Sequence, residues 1–172
     1  MDLFVDLTAE LNGLNSLPEG DQNAFVVVVK AGQEPQLIKN ILPKQIIKLN
    51  GEKSGNDLVA NIEITQTNHL GASNRYSFQN KENQKDIIET QFNSIFENFS
   101  ISNIKVSDLN DIQNDFVYSF DIKIINYFKD NKISQSIFLK DLSNKFKLLS
   151  ERTTQMTSPY YEIIENIVIK NA

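Results

Sequence analysis

The sequence predicts a mainly β fold, an antiparallel β-sandwich with one amphipathic helix; an α+β sheet with the helix packed on one face is the alternative. Apolar and polar residues alternate from Phe116 to Ile124, which is the pattern of a half-buried strand. A second alternating run, Leu58 to Thr67, follows a segment rich in Asn and Gly, as in a β-hairpin. One segment, 84–99, instead repeats its apolar residues at helical spacing.

The first half of the chain is expected to supply strands and one hairpin. Ala24 to Val29 is almost entirely apolar, which suits a strand buried on both faces. Pro35 to Ile41 is a further candidate strand. Gln45 to Leu49 and Leu58 to Thr67 flank the polar segment Asn50 to Asn56, so we expect them to pair across a loose loop.

The segment 84–99 is predicted to be helical. Asn83 can cap it, and Asp86 lies near its N-terminus, where a negative charge is favourable. We expect its apolar stripe to pack on the sheet; the alternative is a partner groove or a membrane stripe. The polar face lacks the Lys and Arg residues of a helix that binds anionic membranes. The stripe consists of Ile87, Ile88, Phe92, Ile95, Phe96 and Phe99.

The second half of the chain returns to a period of two. Phe116 to Ile124 is the clearest strand in the sequence. Asp130-Asn131 is predicted to be its turn, and Lys132 to Leu139 its hairpin partner. Phe146 to Ser150 and Tyr160 to Ile169 are expected to supply the last strands.

Composition excludes several classes of function. The chain has 172 residues, a net charge of −5 and scattered Lys and Arg, so no basic face for nucleic acid is expected. It has no Cys, which excludes disulfides, thiolate metal sites and a Cys nucleophile within it. No apolar run approaches the roughly 20 residues of a membrane helix, and the N-terminus lacks the basic region of a signal peptide. We therefore expect a soluble protein without membrane insertion.

The remaining candidates for metal chemistry are weak. His69 is the sole histidine, and one imidazole needs further ligands to hold a metal, so we expect a polar residue at a strand end. The acidic segment Asp108 to Asp115 fails as an EF-hand loop, because Gln113 and Ser119 stand where Gly and Glu are required. A solvated turn is expected there, with an irregular surface Ca²⁺ site as the alternative. No metal and no cofactor is predicted.

The segment Leu3 to Gln22 (LFVDLTAELNGLNSLPEGDQ) carries a family resemblance. It resembles the end of the catalytic core in bacterial transglutaminase-like proteins with flanking β-domains of unknown function. That family has a hydrophobic-x-Val-Asp-x-Thr segment, whose Asp is the third member of a Cys-His-Asp triad. Asp6 and Thr8 match it, whereas Leu7 stands where the family often has Pro or Ala. Leu70 to Arg75 and the region from Glu151 to the end are similar more weakly.

This resemblance implies a division of the chain and a role for it. Residues 1–22 would be the tail end of a transglutaminase-like core with its connecting segment, and residues 23–172 an antiparallel β accessory domain. Without a Cys the chain itself would not be an enzyme, and Asp6 would be a catalytic residue only in the full-length parent. Its partner would be the catalytic domain of the same parent chain, and its location extracytoplasmic, either periplasmic or at the cell surface. The alternative for Asp6 is that it merely ends a strand and starts a turn.

A competing class is a free-standing β-sandwich binding module of the adhesin or carbohydrate-binding type. Sugar-binding sites usually stack an aromatic ring on the pyranose, and Tyr76, Tyr160 and Tyr161 could do so. We expect these rings instead to complete the core and edge of the sheet. The ligand or glycan of such a module is not indicated by the sequence.

Overall fold

A computed structural model describes residues 11, 17, 21, 25–26, 36–37, 42–129, 132–133 and 162–170. The predicted mainly β fold class is confirmed: the described residues form a five-stranded mixed sheet with two helices. The sheet has the strand order β5-β6-β4-β3-β9, and two short ladders, β1-β2 and β7-β8, accompany it. The strands are β1 (Phe25–Val26), β2 (Gln36–Leu37), β3 (Lys44–Ser54), β4 (Asp57–Gln66), β5 (Phe99–Val106), β6 (Phe116–Ile124), β7 (Phe128–Lys129), β8 (Lys132–Ile133) and β9 (Glu162–Lys170). The helices are α1 (Asn68–Ser77) and α2 (Gln84–Asn93), the latter preceded by a 3-10 turn at Lys81–Asn83.

The predicted hairpin is β3-β4, but its loop is tighter than expected. The two strands pair as far as Ser54 and Asp57, so only Gly55 and Asn56 form the turn. Gly55 has a φ of 62°, which glycine adopts without steric cost. Gly51 lies within β3 opposite Ala60, where an added Cβ would be 2.9 Å from the Ala60 Cβ. Asn50-Gly51, the start of the segment predicted to be a loose loop, therefore lies inside β3, where the glycine allows close packing against β4.

The core lies on the face of the sheet that the helices cover, which we call the inner face. The predicted alternation in β4 and β6 is confirmed, because every second residue of both strands is buried. Phe120 contacts Phe92 of α2 edge-to-face, with ring centroids 5.4 Å apart. The buried apolar residues of the two strands are Leu58, Ala60, Ile62, Ile64, Phe116, Tyr118, Phe120, Ile122 and Ile124, and Gln66 at the end of β4 is buried as well.

The predicted helix is present but ends earlier than expected. The helix α2 ends at Asn93, and Phe99, the last residue of the predicted helix, begins β5. Ile95 and Phe96 follow the helix and are nevertheless buried in the same core. The apolar spacing continues past the helix end because a turn keeps these side chains on the inner face, whereas Phe99 is only half-buried.

A second helix, α1, was missed by the sequence analysis. It contains His69, which is therefore a helical residue rather than the expected strand-end residue. Gly71, Ala72 and Arg75 of this helix are buried. The arrangement of two helices on one face of the sheet is that of the α+β alternative.

Strand pairing differs from the prediction in two places. β9 lies parallel to β3 from the pair Lys44–Glu162 to the pair Glu52–Lys170, so the sheet is mixed rather than purely antiparallel. The partners of β6 are β4 and β5, not the segment starting at Lys132, which pairs as β8 with β7. A pairing between distant segments leaves no local pattern in the sequence, whereas a hairpin does.

Several predictions fall outside the described residues. These are the division at residue 22, most of the strands predicted at 24–29 and 35–41, and the strand predicted at 146–150. Within the described ranges, neither helix is long and apolar enough to cross a membrane.

Candidate functional site

The face of the sheet opposite the helices, which we call the outer face, is lined mainly by polar side chains. It arises from the same alternation that builds the core, because the residues between the buried ones point away from the helices. The strand register places a row of four polar residues across β3, β4, β6 and β5. This polar row consists of Asn50, Asn61, Asp121 and Ser102.

Asp121 is the centre of a hydrogen-bonded cluster on the outer face. Asn61 Nδ2 donates to Asp121 Oδ1 at 2.9 Å, and Asn103 Nδ2 donates to Asp121 Oδ2 at 2.6 Å. Asn61 Nδ2 also lies 3.3 Å from the carbonyl oxygen of Phe120, which fixes the amide against β6. The carboxylate is therefore held in one orientation by donors from both neighbouring strands.

A β-bulge in β5 brings Asn103 to this carboxylate. The pairing of β5 with β6 shifts register between Ser102 and Lys105, and Asn103 has a φ of 53°. Asn tolerates this left-handed conformation better than most residues, and such bulges often redirect a side chain. The extra residue thus turns an amide of the edge strand toward Asp121.

The electrostatics keep Asp121 ionised. The hydrogen bonds from Asn103 and Asn61, with a smaller contribution from the charge of Lys105, hold the pKa of its carboxyl below the ordinary value. Burial opposes this shift only in part. At neutral pH the outer face therefore presents an oriented anion whose remaining lone pairs can accept further hydrogen bonds.

Charged pairs and two apolar side chains surround the polar row. Lys48 Nζ lies 2.8 Å from Glu63 Oε1, and Lys123 Nζ lies 3.2 Å from Asp57 Oδ2. The centre of the face forms a shallow depression of about 650 Å³ that the polar row helps to line. Val168 is 52% exposed at its rim, and Val59 is 37% exposed. The face thus combines fixed hydrogen-bonding groups with apolar area, which suits non-covalent recognition.

A second polar feature, at Arg75, holds a loop in place. Arg75 is only 3% exposed, and its guanidinium lies over the Phe116 ring at 5.8 Å. One terminal nitrogen donates to the carbonyl oxygens of Asp111 (3.0 Å) and Asn114. Burial lowers the pKa of the guanidinium, while the nearby Asp111 and Asp115 raise it. These contacts tie helix α1 to the connection between β5 and β6, which is a positioning role.

The residues singled out in the sequence do not meet in one place. Asp6, the predicted triad member, lies outside the described residues, as do Tyr160 and Tyr161. Tyr76 is 73% exposed on α1, so the expectation that it completes the core or the sheet edge was wrong. The segment from Asp108 to Asp115 does form the expected turn before β6. In the described ranges, no cluster of three or more His, Cys, Asp or Glu residues could hold a metal ion.

The central residues of the outer face were missed by the sequence analysis. The signal available in the sequence is that Asn61 and Asp121 stand at polar positions of the alternating runs that predict β4 and β6. Their alignment depends on the register between β4 and β6, and the role of Asn103 depends on a bulge. Neither leaves a pattern in a single sequence.

Comparisons with known proteins give this chain no relative. No family model, no curated protein and no solved structure matches it.

Proposed function

We propose that this chain is a non-catalytic accessory domain of a larger transglutaminase-like or thiol-peptidase-like protein, and that its outer face packs against the catalytic core. The observation that carries the proposal is the ordered polar row centred on Asp121. Asp121, Asn61 and the adjacent Asn103 are fixed by hydrogen bonds to one another before any partner arrives. Little conformational entropy is then lost when a partner binds, so the same contacts give a higher affinity.

The composition of the outer face supports a protein partner. Val59 and Val168 supply apolar area, and the Lys48–Glu63 pair supplies charges that remain exposed. A mixture of apolar area and hydrogen-bonding groups is typical of interfaces between domains that also exist apart. The resemblance of Leu3 to Gln22 to the end of a catalytic core supplies the identity of the partner. A covalent link of that length would keep the two domains at a high effective concentration, so a modest interface would suffice.

A free-standing carbohydrate-binding module is the second candidate. It is favoured by the amide and carboxylate groups of Asn50, Asn61 and Asp121, which can bond sugar hydroxyls. Against it, the strands of the outer face carry no aromatic ring at the described outward positions, so a pyranose has no stacking partner there. A protein partner therefore fits the face better.

The proposal is tested by titrating this chain into the separately produced catalytic core of the parent protein in a calorimeter. We expect binding, with Asp121→Ala and Asn61→Ala each weakening the affinity about tenfold, or about 1.4 kcal/mol. The matched control is Asp86→Ala, which removes an exposed carboxylate on α2, on the covered side of the sheet. Equal affinities for all variants, or no binding at all, would contradict the proposal. Binding to glycans with no binding to the core would favour the second candidate.

A further inference from the structure

The two edge strands of the sheet are built differently. The edge strand β5 carries a bulge at Asn103 and an exposed Lys105, which are features that discourage a further strand from pairing. The other edge strand, β9, is nine residues long and pairs with β3 in an unbroken register. Within the described part of the chain, no strand pairs with the far side of β9. β9 therefore offers a regular edge of a kind that commonly recruits another strand.

The hydrogen bonding of β9 to the segment that begins β3 shows which backbone groups of β9 point away from β3, toward the edge of the sheet. The Glu162 amide N donates to the Pro43 carbonyl oxygen at 3.0 Å, so the N–H of Glu162 points toward β3. Because backbone groups alternate sides along a strand, the N–H and C=O groups of the odd-numbered residues point outward. These residues are Ile163, Glu165, Ile167 and Ile169.

We propose that β9 pairs antiparallel with β9 of a second copy of this chain, across a two-fold axis at Asn166. When the strand sequence, EIIENIVIK, is paired antiparallel with itself, opposite charges meet at both ends and aliphatic residues meet next to them. In this register Glu162 faces Lys170 of the second copy, and the reverse pair occurs at the other end. Ile163 then faces Ile169, and Ile164 faces Val168.

Backbone geometry and charge select the same register. The outward-facing residues meet one another as hydrogen-bonded pairs, Ile163 with Ile169 and Glu165 with Ile167. A shift of two residues keeps the hydrogen bonds possible but places Lys170 opposite an isoleucine or Glu162 opposite a valine. Only the register centred on Asn166 pairs both terminal charges with opposite charges.

The side chains of β9 also gain from this pairing. Ile167 is 43% exposed and Val168 is 52% exposed, although both lie in the middle of a sheet-forming segment. Pairing with a second copy covers part of both residues, which favours association through burial of apolar area. Glu165 opposes it, because its charge would lie beside Ile167 of the second copy. The Glu165→Gln variant should therefore associate more tightly than the wild type.

The first test is sedimentation of the full chain over a range of concentrations at low salt. We expect a monomer–dimer equilibrium that is weakened about tenfold by Lys170→Glu and by Glu162→Lys, since each change places like charges opposite one another at both ends. A mixture of the two variants restores both opposite-charge pairs and should dimerise again. A monomer at all concentrations, or variants that dimerise as the wild type does, would overturn the proposal.

The second test does not depend on those charge variants, since Glu162 also contacts Lys44 at 3.0 Å and its replacement could weaken the β3-β9 pairing. The chain has no Cys, so Asn166→Cys introduces a single thiol at the proposed axis. Residues in a non-hydrogen-bonded antiparallel pair have Cα atoms about 4.5 Å apart, which a disulfide can span. We expect rapid cross-linking of this variant under mild oxidation and little of Ser102→Cys, an exposed position on the other edge. Equal rates for the two variants would overturn the two-fold pairing.

Discussion

Replacing Gly71 by alanine tests how closely α1 packs on the sheet. Gly71 is buried within α1, and an added Cβ would lie 2.7 Å from the Gln66 carbonyl oxygen and 3.2 Å from the Phe116 Cβ. The first distance is shorter than real Cβ contacts allow, and the obstacle is backbone, so the helix would have to move. In an exposed helix the same change would stabilise the protein by about 1 kcal/mol. Overpacking costs about 1–3 kcal/mol, and a clash with backbone belongs to the upper part of that range, about 2–3 kcal/mol. After subtraction of the gain in helix propensity, we expect a net loss of about 1–2 kcal/mol.

Urea unfolding followed by circular dichroism measures this loss. The matched control is Ser73→Ala in the same helix, where the side chain is exposed and the change should be neutral or slightly stabilising. If Gly71→Ala were as stable as the wild type or more stable, α1 would not lie this close to β4 and β6. The absence of a Cβ at Gly71 would then not be what allows the helix to approach the sheet.

Three further predictions follow from the core, the buried arginine and the outer face. Phe96→Ala should cost about 3–5 kcal/mol of unfolding free energy, because the ring is only 3% exposed; a loss below about 1 kcal/mol would place it in solvent. Arg75→Ala should increase amide hydrogen exchange in residues 107–115, since it frees the carbonyls of that loop; unchanged exchange would contradict the clamp. The pKa of the Asp121 carboxyl, measured by NMR, should lie below its ordinary value, because Asn103 and Asn61 donate hydrogen bonds to it. Its stabilising contribution is therefore present above the unfolded pKa and is lost as the pH falls through the lower folded pKa. Asn103→Gly keeps the backbone conformation but removes the main donor, so it should raise that pKa, and an unchanged pKa would exclude this hydrogen bond as the cause.

The parts of the fold that the sequence predicted are those with a local pattern. The alternation in β4 and β6 was visible because one face of each strand is buried and the other is not. The helix α2 was found from its apolar stripe, but its end was not, because Ile95 and Phe96 continue the spacing after the helix stops.

The parts that were missed depend on tertiary contacts. The helix α1 contains Gly71 and several Asn and Ser residues, which have low helix propensity, and its packing on the sheet overrides that preference. The parallel pairing of β9 with β3 joins segments far apart in the chain, so no local signal marks it. For the same reason the Asp121 cluster could not be predicted, since three strands and a bulge bring its amides to the carboxylate.

The most direct test of the central proposal is the turnover of the full-length parent protein carrying Asp6→Asn. If the chain belongs to a transglutaminase-like protein, the Asp6 carboxylate orients a catalytic imidazole supplied by the core, and an amide would hold the wrong tautomer. We expect turnover to fall by orders of magnitude while the melting temperature stays unchanged, and the same substitution to be nearly silent in the stability of the 172-residue chain. Full activity of the Asp6→Asn protein would show that Asp6 has no part in a catalytic triad. The proposed membership in a transglutaminase-like protein would then fail, and the outer face would need another partner.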